Sequence, residues 1–229
     1  MLDLKGYGWT LWDGLQMTLS VGVLALCVAF VMGMLGAWGK LSKSPVARGA
    51  AGTYTTVIRG VPELLLILLI YYGTPTLIQN TLEGFGYDII VDINPFIAGV
   101  ITIGVIYGAF ATEVLRGAIL AVPKGQIEAA HAFGMSRKQV VVRVLLPQVW
   151  RFALPGLGNV WMVLLKATSL ISVIQLPELL RKTDMAARST KLPFTFFFAA
   201  AMIYLAITLI SMFAQQRMEA WANRGVRRG

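Results

Sequence analysis

Three ionisable side chains, Glu63, Glu113 and Lys166, lie inside or at the ends of otherwise apolar runs of this 229-residue chain. Exposing such groups to hydrocarbon is costly, so they face protein or water, pair with one another, or snorkel to an interface. Lys166 is followed closely by Thr168 and Ser169. That segment reads as facing a subunit interface or a polar path. The alternatives are a structural ion pair of Lys166 with Glu63 or Glu113, and a Thr168 hydroxyl that bonds back to its own helix. Glu113 precedes Arg116 by three residues, a spacing at which the two pair on one helix face. Other chemistry is thinly supplied. A single histidine, His131, and a single cysteine, Cys27, exclude a histidine or thiolate metal cluster. No GxxxxGK[ST] phosphate loop occurs, so the chain has no nucleotide site of that kind of its own.

The elements that must position these residues are membrane helices. The chain is 57% hydrophobic and only 14% charged, with a mean hydropathy of +0.70. Its apolar residues fall into runs of about twenty, the length that spans a bilayer core at 1.5 Å per helical residue. Every backbone polar group in lipid needs an internal partner, and the runs lack the period-two alternation of a barrel strand, so they are helices. Five spans are expected: Leu15 to Trp38, Tyr54 to Leu77, Pro95 to Leu115, Phe152 to Ile174, and Pro193 to Phe213. The first is too long for the apolar stretch of a cleaved signal and reads as a retained anchor. Pro62 either kinks the second span or starts a helix. Gly22, Gly33 and Gly36, with Gly99, Gly104 and Gly108, permit close helix approach. Tyr71, Tyr72 and Tyr107 line a path or, more ordinarily, pack and anchor. The expected fold class is therefore an all-α integral membrane protein forming one transmembrane domain over residues 1–229.

The net charge of +9 follows from topology rather than from nucleic-acid binding. With the N-terminus outside, the inside holds Lys40, Lys43, Arg48, Arg59, Arg116, Lys124, Arg137, Lys138, Arg143, Arg151, Arg217, Arg224, Arg227 and Arg228. The outside holds Lys5, Arg181, Lys182, Arg188 and Lys191. This asymmetry predicts N-out, C-in. The acidic loop of Glu83, Asp88 and Asp92 then falls outside. The outer loop from Pro177 to Leu192 carries Glu178–Arg181 and Asp184–Arg188 at helical pairing distances, as in a short interfacial helix.

The long polar stretch between the third and fourth spans, residues 116–151, has its own pattern. Pro123 opens a short helix on which Ile127, Ala130 and Phe133 recur at spacing three. Gly134 ends it in left-handed geometry. Ser136 and Gln139 form a capping box for a second helix, expected to run to Leu146, where Pro147 stops it or starts the next element. Such a helix–elbow–helix either docks a partner, with Ala129, Ala130 and Ala132 allowing close approach and Glu128 offering a carboxylate, or packs on its own bundle.

The run Glu128-Ala129-Ala130, then Gly134, then Val144-Leu145-Leu146-Pro147 resembles the EAA loop of binding-protein-dependent ABC transporter permeases, with Val144 where isoleucine is usual. The segments Ile58-Arg59-Gly60-Val61-Pro62-Glu63-Leu64, Tyr71-Tyr72-Gly73, Glu113-Val114-Leu115-Arg116-Gly117-Ala118, Ala153-Leu154-Pro155-Gly156 and Lys166-Ala167-Thr168-Ser169-Leu170 are similar to those of polar amino acid permeases, in particular the histidine and lysine/arginine/ornithine and the opine permeases. Many members have Asp or Ser at the position of Ala167. The resemblance implies a type I ABC importer permease in the bacterial inner membrane, with a cytoplasmic coupling loop in which Glu128, Ala129, Ala130 and Gly134 transmit force. It implies a second homologous permease subunit, two cytoplasmic ATPases that bind the ATP and Mg, and a periplasmic binding protein. It also implies a polar, basic amino acid or opine as substrate. A cationic solute crossing a low-dielectric region needs a compensating carboxylate, and Glu63 and Glu113 are the candidates. The competing expectations are a self-contained secondary transporter or channel, and a membrane scaffold without transport.

Overall fold

The computed structural model describes residues 4–85, 87 and 93–224. Asp88, Asp92, Arg227 and Arg228, used in the charge argument, lie outside the described residues. The described chain is helical: α1 (Gly8–Leu41), α2 (Pro45–Gly60), α3 (Glu63–Gly84), α4 (Pro95–Leu120), α5 (Lys124–Ala132), α6 (Arg137–Ile174), α7 (Leu179–Thr190) and α8 (Pro193–Ala222). Helices α1, α3, α4, α6 and α8 are long and apolar enough to cross a membrane, matching the expected number of spans. They run past the ends of the apolar stretches because backbone hydrogen bonding continues into the polar boundary.

The second span differs from its expected bounds. Tyr54 belongs to α2, and the crossing helix α3 starts only at Glu63. The cause is Pro62, which has no N–H to continue the ladder and holds Val61 extended at φ −106°, ψ 138°. The proline thus starts a helix rather than kinking one. Helix α2 is nonetheless fixed to the bundle along its length: the Tyr54 hydroxyl donates to the Val105 carbonyl of α4.

The fourth span departs in the opposite sense. Pro147 neither stops a helix nor begins one, because α6 continues from Arg137 through to Ile174. A π turn over Val140–Leu145 lies just before Pro147, and another over Leu69–Gly73 precedes Pro75 in α3. Widening the ladder by one residue gives a proline ring room that an α turn denies it. The end of α6 tightens to a 3-10 helix over Thr168–Ile174 and stops at Gln175 in left-handed geometry.

Helix α4 is the most buried of the five and packs chiefly on α1, with α6 behind. A Cβ on Gly36 would run into the Thr112 side chain, and one on Gly104 would sit 2.5 Å from Val28 Cβ. Gly22 and Gly99, by contrast, have room for ordinary contact. Gly36→Leu is accordingly expected to cost ~3 kcal/mol or more by overpacking. Folded transporter recovered from membranes should fall sharply, while Gly49→Leu, with nothing within 4 Å of an added Cβ, should leave the yield unchanged.

Helix α7 is amphipathic and lies across α1 and α8. Arg188 pairs with Asp184 at 2.9 Å as its spacing suggested. Glu178 instead caps the helix, accepting from the Arg181 and Leu180 backbone N–H groups at 2.7 and 2.8 Å.

Candidate functional site

The element after α4 folds as helix, elbow, helix. Gly134 has φ +74°, the left-handed region open to glycine. The Phe133, Gly134 and Met135 N–H groups close the α5 carbonyls of Ala129, His131 and Ala130. Ser136 and Gln139 complete the capping box, with the Gln139 side chain accepting from the Ser136 N–H at 2.8 Å. One face of the unit is anchored, since Val122, Ala130 and Val140 are buried. The other face carries Glu128, Ala129, Ala132 and Gly134, all exposed. The apolar stripe is shorter than its spacing suggested. Phe133 is 87% exposed, because it sits at the C-cap, where the chain has already left helical geometry. A large exposed aromatic beside small exposed alanines, on a braced elbow, suits insertion into a cleft on another molecule.

The intramembrane charges separate into different environments. Glu113 is held by two cations: Lys40 of α1 binds one carboxylate oxygen, and Arg116 binds the other at 2.9–3.0 Å. It ties α1 to α4. Glu63 stands in the first turn of α3, where the helix N-terminus favours a negative charge. It accepts from the buried Tyr107 hydroxyl, 3.1 Å from each carboxylate oxygen. Tyr107 lies about halfway along α4, so the end of the second span at Glu63, beside the α2–α3 break, packs against the middle of the third. The Tyr107 ring stacks on Phe110, whose face carries the Arg59 guanidinium at 5.2 Å. Sequence reasoning placed these residues separately and missed the cluster.

Lys166 is exposed and forms no ion pair among the described residues, so neither Glu63 nor Glu113 is its partner. Thr168 is buried and donates back to the Leu165 carbonyl at 2.7 Å, and Ser169 donates to the Lys166 carbonyl at 2.7 Å. Both hydroxyls are therefore satisfied within α6.

A third polar cluster lies under α7. Glu178 is fully buried and receives, besides the two backbone N–H groups, the hydroxyls of Thr18 and Tyr204 at 3.5 and 3.4 Å. Burial pushes its carboxyl up to about 7, against the hydrogen bonds that favour the anion.

Comparison with known proteins places this arrangement. Residues 25–224 match the family described as the binding-protein-dependent transport system inner membrane component. The chain is 48% identical to the nopaline transport system permease protein of Agrobacterium fabrum, covering 97% of this chain and 94% of that one. It is 43% identical to the histidine/lysine/arginine/ornithine transport system permease protein of Escherichia coli, covering 98% of each. A crystal structure of an amino acid ABC transporter with histidines superposes with a TM-score of 0.79 at 34% identity, covering 93% of this chain and 94% of that chain. The inward-facing methionine ABC transporter shares the fold, with a TM-score of 0.75 at 18% identity. In such systems ATP is hydrolysed by a partner subunit, which accords with the missing phosphate loop. Five spans, a helix–elbow–helix between the third and fourth, and these matches along nearly the whole length together show that the chain belongs to the binding-protein-dependent ABC importer permeases, as a multi-pass inner-membrane subunit.

Proposed function

We propose that this permease subunit imports a cationic amino acid or an opine, and that the 116–151 loop is its coupling element to the ATPase. The substrate reading is supported by relatives named for nopaline, octopine, arginine, and histidine/lysine/arginine/ornithine transport. The coupling reading is carried by one observation: an elbow braced by Gly134 and a capping box that presents Glu128, Ala129 and an 87% exposed Phe133. Ala130 supports this surface from behind, since it is buried.

The whole chain acts as one transmembrane domain, oriented N-out and C-in as the cation distribution favours. The loop then faces the cytoplasm and α7 faces outward. A second homologous permease subunit, two cytoplasmic ATPases holding ATP and Mg, and a periplasmic binding protein complete the assembly. Along the translocation path, Glu63 offers a carboxylate beside the α2–α3 break, and Lys166 with Ser169 forms the wall or subunit interface, backed by the buried Thr168. Glu113 acts at a distance, since its carboxylate is already bound by Lys40 and Arg116.

Uptake into vesicles containing the assembled transporter should require ATP, the ATPase and the external binding protein together. Glu63→Gln should lower uptake of a cationic substrate about tenfold while leaving binding-protein affinity unchanged. Flux that persists without the ATPase, driven by an ion gradient alone, would overturn the reading in favour of a secondary transporter.

A further inference from the structure

Helix α7 lies close on α1 because Gly14 has no side chain: a Cβ there would stand 2.9 Å from the Leu179 Cα and 3.2 Å from the Lys182 Cδ. This approach lays the Lys182 stem against α1, where its ammonium pairs with the neighbouring Asp13. Beside the pair is an open recess of about 510 Å³, lined by Trp9, Thr10, Trp12, Asp13, Gln16 and Lys182. Both charges are therefore part of its wall. They are unequally exposed, the Lys182 side chain by 15% and that of Asp13 by 68%. Lys182 binds only Oδ2 of Asp13, so the other carboxylate oxygen has no protein partner among the described residues. The indole N–H groups of Trp9 and Trp12 and the Gln16 amide also lack one among the described residues.

The recess stands at headgroup level. Trp12 and Trp38 are exposed near opposite ends of the continuous helix α1, about 39 Å apart at 1.5 Å per residue. That is close to the full bilayer thickness of about 40–45 Å including the headgroups, whose boundaries tryptophan favours. Below the recess, the same face of α1 continues at helical spacing through Ser20, Leu24, Cys27, Val31 and Met34 to Trp38, all exposed. Beyond Ser20 this stripe carries no charge. Polar donors and a carboxylate above an apolar stripe on one helix face match the polarity profile of a phospholipid, head above chain.

One acid and one base leave the recess without net charge. An anionic headgroup would bring its charge beside Asp13, and a quaternary amine has no N–H to give the open carboxylate oxygen. A headgroup with both a phosphate and a primary ammonium satisfies each side. We propose that this recess is a headgroup site for phosphatidylethanolamine, with the ammonium on Asp13, the phosphate on Lys182, and an acyl chain along the exposed stripe of α1. A docked external protein is the poorer occupant, since it would meet the recess but not the stripe that continues from it into the hydrocarbon.

The test uses the assembled transporter in phosphatidylglycerol bilayers with a minor fraction of phosphatidylethanolamine carrying a photoreactive acyl chain. The N-methylated series up to phosphatidylcholine, with the same chain, is the comparison. Phosphatidylethanolamine should label residues 24–34 of α1 about tenfold more than phosphatidylcholine does, with labelling falling as N–H groups are removed. Asp13→Asn, an isosteric change at an exposed side chain, should bring phosphatidylethanolamine labelling down to the phosphatidylcholine level. Lys182→Gln should lower labelling by both lipids, since both carry the phosphate. The methylation series uses the unaltered protein and decides the matter if a variant does not assemble. Equal labelling of α1 by phosphatidylethanolamine and phosphatidylcholine, or labelling unchanged in Asp13→Asn, would overturn the proposal. So would labelling displaced by a saturating basic amino acid or by the external binding protein, either of which would then be the occupant.

Discussion

Replacing Gly134 by valine should reduce substrate uptake at least about tenfold while the transporter still inserts, assembles and hydrolyses ATP. The argument is local. Gly134 has φ +74°, and an L side chain in the left-handed region costs ~1–2 kcal/mol, most for a β-branched one. A Cβ added there meets nothing within 4 Å, so packing contributes nothing to the effect. The strain is relieved by re-aiming the elbow, and Glu128, Ala129 and Phe133 swing away from the proposed ATPase cleft. The order of activity should then follow tolerance of left-handed geometry: Gly, then Asn, then Ala, then Val. Steric bulk alone would instead rank Asn below Ala. The readout is uptake per ATP hydrolysed in proteoliposomes with binding protein present. Glu128→Lys should lower the same ratio through charge while leaving the elbow intact. Normal coupling in both Gly134→Val and Glu128→Lys would remove this loop from the transmission path.

Much of this fold was legible because lipid imposes a simple rule. A run of about twenty apolar residues has one stable backbone solution, so the five spans were visible without knowing their neighbours. The elbow was legible for a similar reason, since Gly134, Ser136 and Gln139 act on their own backbone. Prolines were harder to read. Pro62 and Pro147 carry the same rule against helix continuation, but only the first ends a helix. At Pro147 the preceding π turn absorbs the ring, and nothing in Val140–Leu145 by itself announces that turn.

The polar clusters were the least legible part. Glu63 and Tyr107 are 44 residues apart, Lys40 and Glu113 are 73, and Thr18 and Glu178 are 160. Which of these meet depends on how the helices are ordered around α4, and apolar runs leave that order open. Lys166 shows the same limit from the other side. Glu63 and Glu113 were its natural partners by charge, but helix order gives one carboxylate to Tyr107 and the other to Lys40 and Arg116. Phe133 had the spacing of a core residue, and its position at a helix end placed it outward.

Glu178 should govern how firmly α7 is seated, and with it the pH dependence of stability. Its carboxylate closes two backbone N–H groups of α7 and receives hydroxyls from α1 and α8, so Glu178→Ala leaves several buried donors without an acceptor. A loss of ~3 kcal/mol is expected, read as a lowered thermal midpoint and as proteolysis within α7. The charged groups around it are few. Asp13 of α1 pairs with Lys182, and the Arg181 and Lys182 side chains belong to α7 itself. Burial raises the carboxyl from 4.5 to about 7. The folded protein therefore holds its proton more tightly than the unfolded chain does. The sign follows: this contribution is fully present below the unfolded value of 4.5 and is lost as pH rises through about 7. Across that window wild-type stability should fall on the order of 3 kcal/mol. Glu178→Gln keeps an acceptor for the backbone and no longer titrates, so its melting midpoint should stay flat over the same range. A wild-type midpoint as flat as that of Glu178→Gln would mean the carboxylate is ionised throughout, with its four hydrogen-bond donors outweighing its burial.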